Sequence, residues 1–209
     1  MHLVSSALVT VLLALTTACA IGPERSEAPT GHMLEWAGSE ETAAEGLGVA
    51  IQVNMPAAYP GYQSARMAYR QERHTLRYFA YNRWADTPAR LVGAALTEAL
   101  SGTGLFEDVA APGSRVRAAY RLDTDLIRLE QRFDADGSNI HLSIRYRLVD
   151  LASRRSLGSL HHDITVPSAT DDPRGGVDAA NRALRESFQD LFDALPGWIG
   201  GQEAQGADL

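Results

Sequence analysis

One cysteine, Cys19, is the residue of this chain whose position points most directly to a chemistry. It closes the run Leu12-Leu13-Ala14-Leu15-Thr16-Thr17-Ala18-Cys19-Ala20. A lone thiol makes no intramolecular disulfide. Standing behind a short apolar stretch and small residues, it fits a bacterial lipobox instead. A signal peptidase then cuts before Cys19, the sulfur carries a diacylglycerol and the new amino terminus is acylated. The apolar stretch Ala7 to Leu15, broken by Thr10, suits the core of a signal peptide and falls far below the roughly 20 apolar residues that span a bilayer. Met1-His2-Leu3 carries no Arg or Lys, and Thr16 holds a place usually given to leucine. Two rival readings stay open. Cleavage after Ala20, itself the end of a small-x-small site, would release a soluble protein, and a buried structural cysteine is the third.

The other chemistry-bearing residues form no catalytic or metal set. His161 and His162 are adjacent, so on a strand they face opposite ways and cannot chelate one metal together. Asp134-Ala135-Asp136-Gly137 begins like a calcium loop but lacks the later glutamate an EF-hand needs, and it reads as a hairpin turn. Asp171-Asp172 stands at a helix start, where carboxylates meet the favourable end of the dipole. No Gly-x-Ser-x-Gly elbow, P-loop or dinucleotide fingerprint occurs. The chain reads as a non-enzyme with no metal and no cofactor beyond the acyl groups on Cys19. Arg70, Arg77, Arg83, Arg121, Arg145 and Arg147 fall on outward strand faces. They are solvated, or they meet an acidic or phosphate-bearing partner.

Composition sets the bounds for these residues. All 19 basic residues are arginine, and against 26 acidic residues they leave a net charge of −7. A basic face for nucleic acid is not expected. After the signal about 190 residues remain, enough for one domain with a core. Residues 20–31, with Pro23, Pro29, Gly22 and Gly31, read as a tether reaching about 20 Å.

The elements that must position the rest follow from periodicity. Met33, Leu34 and Trp36 mark a short edge strand within 32–37, and Leu47, Val49, Ile51, Val53 and Met55 alternate as a strand ended by Pro56. Residues 66–84 read as a hairpin turning at Gln71–His74. Its second arm has Leu76, Tyr78 and Ala80 on one face, with Arg77, Phe79, Tyr81 and Arg83 on the other. Thr87-Pro88 opens a helix with the stripe Leu91, Val92, Ala95, Leu96, Ala99 and Leu100, stopped by Gly102 and Gly104. Phe106 and Val109 mark a short strand. Three long strands follow, the first slipping phase near residue 126 as a bulge would. A last helix carries Val177, Ala180, Leu184, Phe188, Leu191, Phe192 and Leu195, and Pro196-Gly197 ends it. The expected fold is α+β, a two-layer sandwich of a mostly antiparallel sheet with two amphipathic helices. The divisions are a signal peptide over 1–18, a lipidated tether over 19–31, one domain over 32–196 and a disordered tail over 197–209.

The stretch Ser64 to Arg70, and then Leu76-Arg77-Tyr78-Phe79-Ala80-Tyr81-Asn82-Arg83-Trp84-Ala85-Asp86-Thr87-Pro88, resembles the ABC-type transport auxiliary lipoprotein family. Family members show a tyrosine-rich strand, then Arg-Trp and a proline just before a helix. The resemblance covers residues 32–195. It implies a non-catalytic partner of an MCE-type lipid transport system and its ABC transporter. It further implies anchoring at the periplasmic face of the outer membrane, docking on the periplasmic MCE assembly and, in some members, a homo-oligomeric ring. Ala20, in place of the aspartate that retains lipoproteins at the inner membrane, favours the outer membrane. Arg70, Tyr81, Arg83 and Trp84 are the candidate interface; the alternative for Trp84 and Tyr78 is a core role. Two other functions compete: a periplasmic carrier that itself holds lipid, and an outer-membrane assembly lipoprotein.

Overall fold

A computed structural model of the chain describes residues 28–36 and 46–206. Along them run β1 (Thr30–His32), β2 (Ala50–Val53), β3 (Ala57–Ala58), β4 (Arg66–Glu72), β5 (Thr75–Trp84), α1 (Pro88–Thr103), β6 (Asp108–Ala110), β7 (Tyr120–Asp134), β8 (Gly137–Asp150), β9 (Ser156–Pro167) and α2 (Pro173–Gly206). The strands form one open sheet with both helices on its apolar face, the α+β sandwich expected. Cys19 and residues 207–209 lie outside the described residues.

β7 is the spine. One edge pairs antiparallel with β8 from Tyr120↔Asp150 to Asp134↔Gly137, and β8 pairs in turn with β9. The other edge takes β2, β3 and β4 one after another, all parallel, at Ile51↔Tyr120, Ala57↔Asp125 and Ala68↔Glu130. Residues 50–72 therefore lie along β7 as one strand broken at Pro56 and Pro60-Gly61. Each proline removes a ladder donor. β5 folds back antiparallel on β4, β1 adds parallel to the far edge of β5, and β6 adds parallel to β2. The long ladders are antiparallel and the parallel ones are short.

The core lies between the sheet and the helices. Ile51, Val53, Leu122, Leu126, Leu129, Ile140, Leu142, Ile144, Tyr146 and Leu148 meet the whole stripe of α1 and Val177, Ala180, Leu184, Phe188, Leu191 and Leu195 of α2. In its midst the hydroxyls of Tyr146 and Ser187 satisfy each other at 2.8 Å. The phase slip falls where the sequence places it, between Leu126 and Arg128. Thr87 occupies the N-cap of α1 but makes no side-chain cap bond. The carboxylate of Asp86 stands in, accepting from Thr87 N at 2.6 Å and from Arg90 Nε at 2.7 Å. Gly104 ends the helix at φ 66°, in the left-handed region that costs glycine little.

Three expectations are corrected. The strand expected from Leu47 to Met55 is observed only over Ala50–Val53, and Met55 is 46% exposed. Pro56 is buried against α1, so the alternation slips and turns Met55 outward. The first strand is Thr30–His32, not the segment that carries Leu34 and Trp36. Residues 33–36 are held against α2 instead. Glu35 N donates to Asn181 Oδ1 at 2.9 Å, Leu34 is buried, and the Trp36 ring lies 6.0 Å from Phe188 and 6.1 Å from Phe192. Finally, α2 does not end at Pro196 but runs on to Gly206. Pro196 forfeits one helical hydrogen bond, yet Leu195 and Ile199 on either side are buried and Trp198 packs on the core. The expected disordered tail is thus helical over its first ten residues, 197–206.

Trp198 imposes a condition on β9. A methyl group placed on Gly158 would sit 2.2 Å from its ring, so only glycine leaves room for the indole. Gly158→Ala is expected to lower stability by about 2 kcal/mol, the usual order for overpacking, as read by urea unfolding. On a Trp198→Ala background the same substitution should cost much less, because the three nearest atoms all belong to that ring.

Candidate functional site

The sheet face turned away from the helices is polar, and its residues are chosen by the slip in β7. Upstream of it Arg121, Asp123 and Asp125 point outward; downstream Arg128, Glu130 and Arg132 do, while Leu129 and Gln131 turn in. Glu130 is the centre of this face. Its side chain is fully buried, yet it is charged and met by three hydrogen-bond donors. Tyr62 Oη donates at 2.5 Å, Arg70 Nε at 2.7 Å and Arg132 Nε at 3.1 Å, with Arg128 Nε 3.8 Å away. Ala68 is its register partner on β4.

These contacts tie three pieces of chain together. Tyr62 belongs to the loop 59–65, Arg70 to β4 and Glu130 to β7. The same loop is held from β5 as well. Tyr78 Oη donates to Gly61 O at 3.0 Å, and the guanidinium of Arg66 lies 3.7 Å over the Tyr78 ring. Gly61 has φ 97°, and a Cβ there would stand 2.8 Å from Leu76. On the opposite face of the hairpin Tyr69 stacks on Phe79 at 4.6 Å, with Phe133 5.9 Å from Tyr69. The β4–β5 hairpin is thereby fixed from both sides.

The electrostatics follow from burial set against hydrogen bonds. Burial alone would push the Glu130 carboxyl up, but the donors Tyr62, Arg70 and Arg132 together outweigh it and hold it below the ordinary carboxylate range. Burial, and then the Glu130 carboxylate, push the Tyr62 phenol up. The hydrogen bond to Glu130 raises Arg70 further. Such a carboxylate is a structural anchor. Three of its roughly four acceptor positions are taken by these donors.

Along the same face, His141 Nε2 meets Asp163 Oδ1 at 2.5 Å, which holds Asp163 below its usual range, and Ser143 Oγ meets His161 Nε2 at 3.0 Å. His162 points the other way, to Asp190 of α2 at 2.6 Å, so the adjacent histidines do part. Asp134 accepts from Asp136 N at the β7–β8 turn, and Asp172 from Gly175 N at the start of α2. Among the described residues, no group of three or more His, Cys, Asp or Glu could hold a metal. Arg121, Arg145 and Arg147 line an open hollow of about 340 Å³ with Asn54, Asp123 and Asp125. Arg121 spends its guanidinium on Asp123 at 2.9 Å, twice.

The four candidate interface residues part company. Tyr81 is 60% exposed and Arg83 is exposed on β5. Arg70 is turned inward to Glu130. Trp84 is 3% exposed and packs in the core, so it presents no surface to a partner and is withdrawn from the interface. Sequence reasoning missed Glu130 and Tyr62. The pattern Arg128-x-Glu130-x-Arg132 holds the one available signal, an acid between two arginines on one strand face.

Glu130→Gln should cost about 2 kcal/mol, less than the roughly 3–5 of a fully buried pair, because Arg70 and Arg132 stay 26% and 40% exposed. Because the folded carboxyl sits below its unfolded value of about 4.3, its contribution is whole above that pH and fades as pH falls through the lower folded value. The stability gap between wild type and Glu130→Gln, measured by urea unfolding from pH 7 to pH 3, should therefore close on the acid side.

Comparison with known proteins agrees with the fold and names the family. No curated protein matches the chain in sequence. Protein XCC0632 from Xanthomonas campestris superposes with a TM-score of 0.66 at 19% identity, over 86% of this chain and 98% of that one. A second solved structure, of an uncharacterized protein, gives 0.65 at 12% identity, over 81% of this chain and 99% of its own. At such identities the likeness is one of fold. The family model for the ABC-type transport auxiliary lipoprotein component matches residues 33–191, the whole of the sheet beyond β1 and most of α2. The chain belongs to the ABC-type transport auxiliary lipoprotein family.

Proposed function

We propose that this chain is the lipid-anchored, non-catalytic auxiliary subunit of an MCE-type lipid transport system. It is held by acylated Cys19 at the periplasmic face of the outer membrane and docks on the periplasmic MCE assembly of that ABC transporter. The family match over residues 33–191 carries this reading. The position of Cys19, behind an apolar stretch and ahead of a Pro- and Gly-containing segment, supports it. Among the described residues no helix is long and apolar enough to cross a membrane, which fits attachment by acyl chains. Ala20 after the cysteine favours the outer membrane. The polar face supports a scaffolding role over a reactive one, since its most buried acid is held by one tyrosine and two arginines.

Two measurements test the proposal. Labelled palmitate should enter the wild-type chain and be absent from Cys19→Ala, which should leave the membrane fraction. Label retained in Cys19→Ala would refute the anchor. Tagged full-length chain, recovered from detergent-solubilised envelopes, should bring down an MCE-family protein and an ABC ATPase. Recovery of the chain without either would refute the transport role.

A further inference from the structure

β5 is the last full-length strand on its side of the sheet. Its inner edge is paired with β4 at Thr75, Arg77, Tyr78 and Arg83, with register shifts between them, but β1 covers its outer edge only at Asn82–Trp84. From Thr75 to Tyr81 that outer edge has no strand partner among the described residues. Unpaired N–H and C=O groups in a row are a template for another strand.

The chain's own upstream segment is a poor continuation. Thr30 pairs with Asn82 in a parallel register, so the next residue to meet the edge would be Pro29, which has no N–H to donate. A second copy is disfavoured as well. The edge is flanked by Arg73, Arg77 and Arg83, all exposed, with Glu72 3.5 Å from Arg77. Antiparallel self-pairing would lay the arginines of one copy among those of the other, and like charges opposed across strands destabilise. In a chain of net charge −7 this is a locally basic edge. Mid-edge, Phe79 is half-buried beside Tyr69 and Phe133 and offers an apolar seat, with Tyr81 exposed two residues on. Backbone valence, basic flanks and an aromatic seat fit one occupant best, an extended acidic segment of another protein.

We propose that the β5 edge from Thr75 to Tyr81 receives an extended, acidic segment of the partner protein as an added strand, with Arg77 and Arg83 pairing its carboxylates. The inference rests on the reading that this chain docks on a periplasmic assembly. The Glu130 contacts and the aromatic trio fix the hairpin before any partner arrives, which lowers the ordering cost of binding.

The test uses the full-length lipidated chain and the purified MCE-family protein that it recovers. A photo-crosslinking residue at Ala80, exposed on the edge strand, should capture an Asp/Glu-rich segment of that protein, identified by mass spectrometry. The same residue at Arg147, on the outer sheet face, should capture none. Amides of residues 75–81 should exchange more slowly in the complex than in the free chain, a change that side-chain contact alone does not produce. The double reversal Arg77→Glu/Arg83→Glu should weaken binding by roughly tenfold, the order expected from two solvated ion pairs turned repulsive, with an unchanged melting curve. If Ala80 captures a second copy, or if the amides are protected only as the free chain is concentrated, the edge is a self-contact and the proposal is overturned. If the MCE protein is still recovered but neither the crosslink nor the protection appears, docking stands and strand addition at β5 is refuted. If no MCE protein is recovered at all, the failure lies with the proposed function.

Discussion

β7 must satisfy four strands and two helices at once, and a one-residue slip makes this feasible. Upstream of Leu126 its even-numbered residues face the core; downstream of Arg128 the odd-numbered ones do. Without that slip Leu129 would face water and Glu130 would enter the helical layer, at a cost of several kcal/mol for an uncompensated charge. With it, Glu130 emerges on the polar face where Arg70, Arg132 and Tyr62 converge. The loop 59–65 and the β4–β5 hairpin then have something to close upon. The bulge is thus the condition for both the core and the polar anchor.

What the sequence made legible was local. The slip near residue 126, the hairpin over 66–84 and the stripe of α1 each lie in the periodicity of one segment, and the structure keeps them. What escaped depends on residues far apart in the chain. Trp84 shares the core side with Phe79, an odd separation that strict alternation forbids. The register resolves it, since Arg66 faces Arg83 while Ala68 faces Tyr78, so β5 is irregular between those pairs. Only β4 sets that irregularity. The helix past Pro196 is a similar case. Pro-Gly is a strong local stop, but Ile199 in the core and Trp198 over Gly158 prevail over it. Tyr62 reaches Glu130 across 68 residues of sequence, and no local pattern announces such a contact.

The polar face also shows how charge is distributed here. Asp123, Glu130 and Asp163 are engaged by Arg121, by Arg70 and Arg132, and by His141. Engaged acids stiffen a surface more than they recruit partners, because each ligand contact must displace one already made. Unpaired backbone valence sits at the periphery, on the outer edge of β5, with exposed arginines around it.

An exposed strand edge is a hazard in a protein that has no use for it. Natural sheets guard such edges with charge, proline and short strands, and β5 carries two of these devices: Arg77 and Arg83 along it, and Pro29 just before β1. Proline ends the pairing of the chain with itself, and arginine makes pairing with an identical edge repulsive. Neither blocks an acidic strand, so the protections leave the edge selective, and selectivity by repulsion of the wrong partner is how specific interfaces are commonly made. β1 also sets where the edge lies. The described chain enters the sheet through Ala28 and Pro29 onto β1, which pairs with β5 beside the free residues.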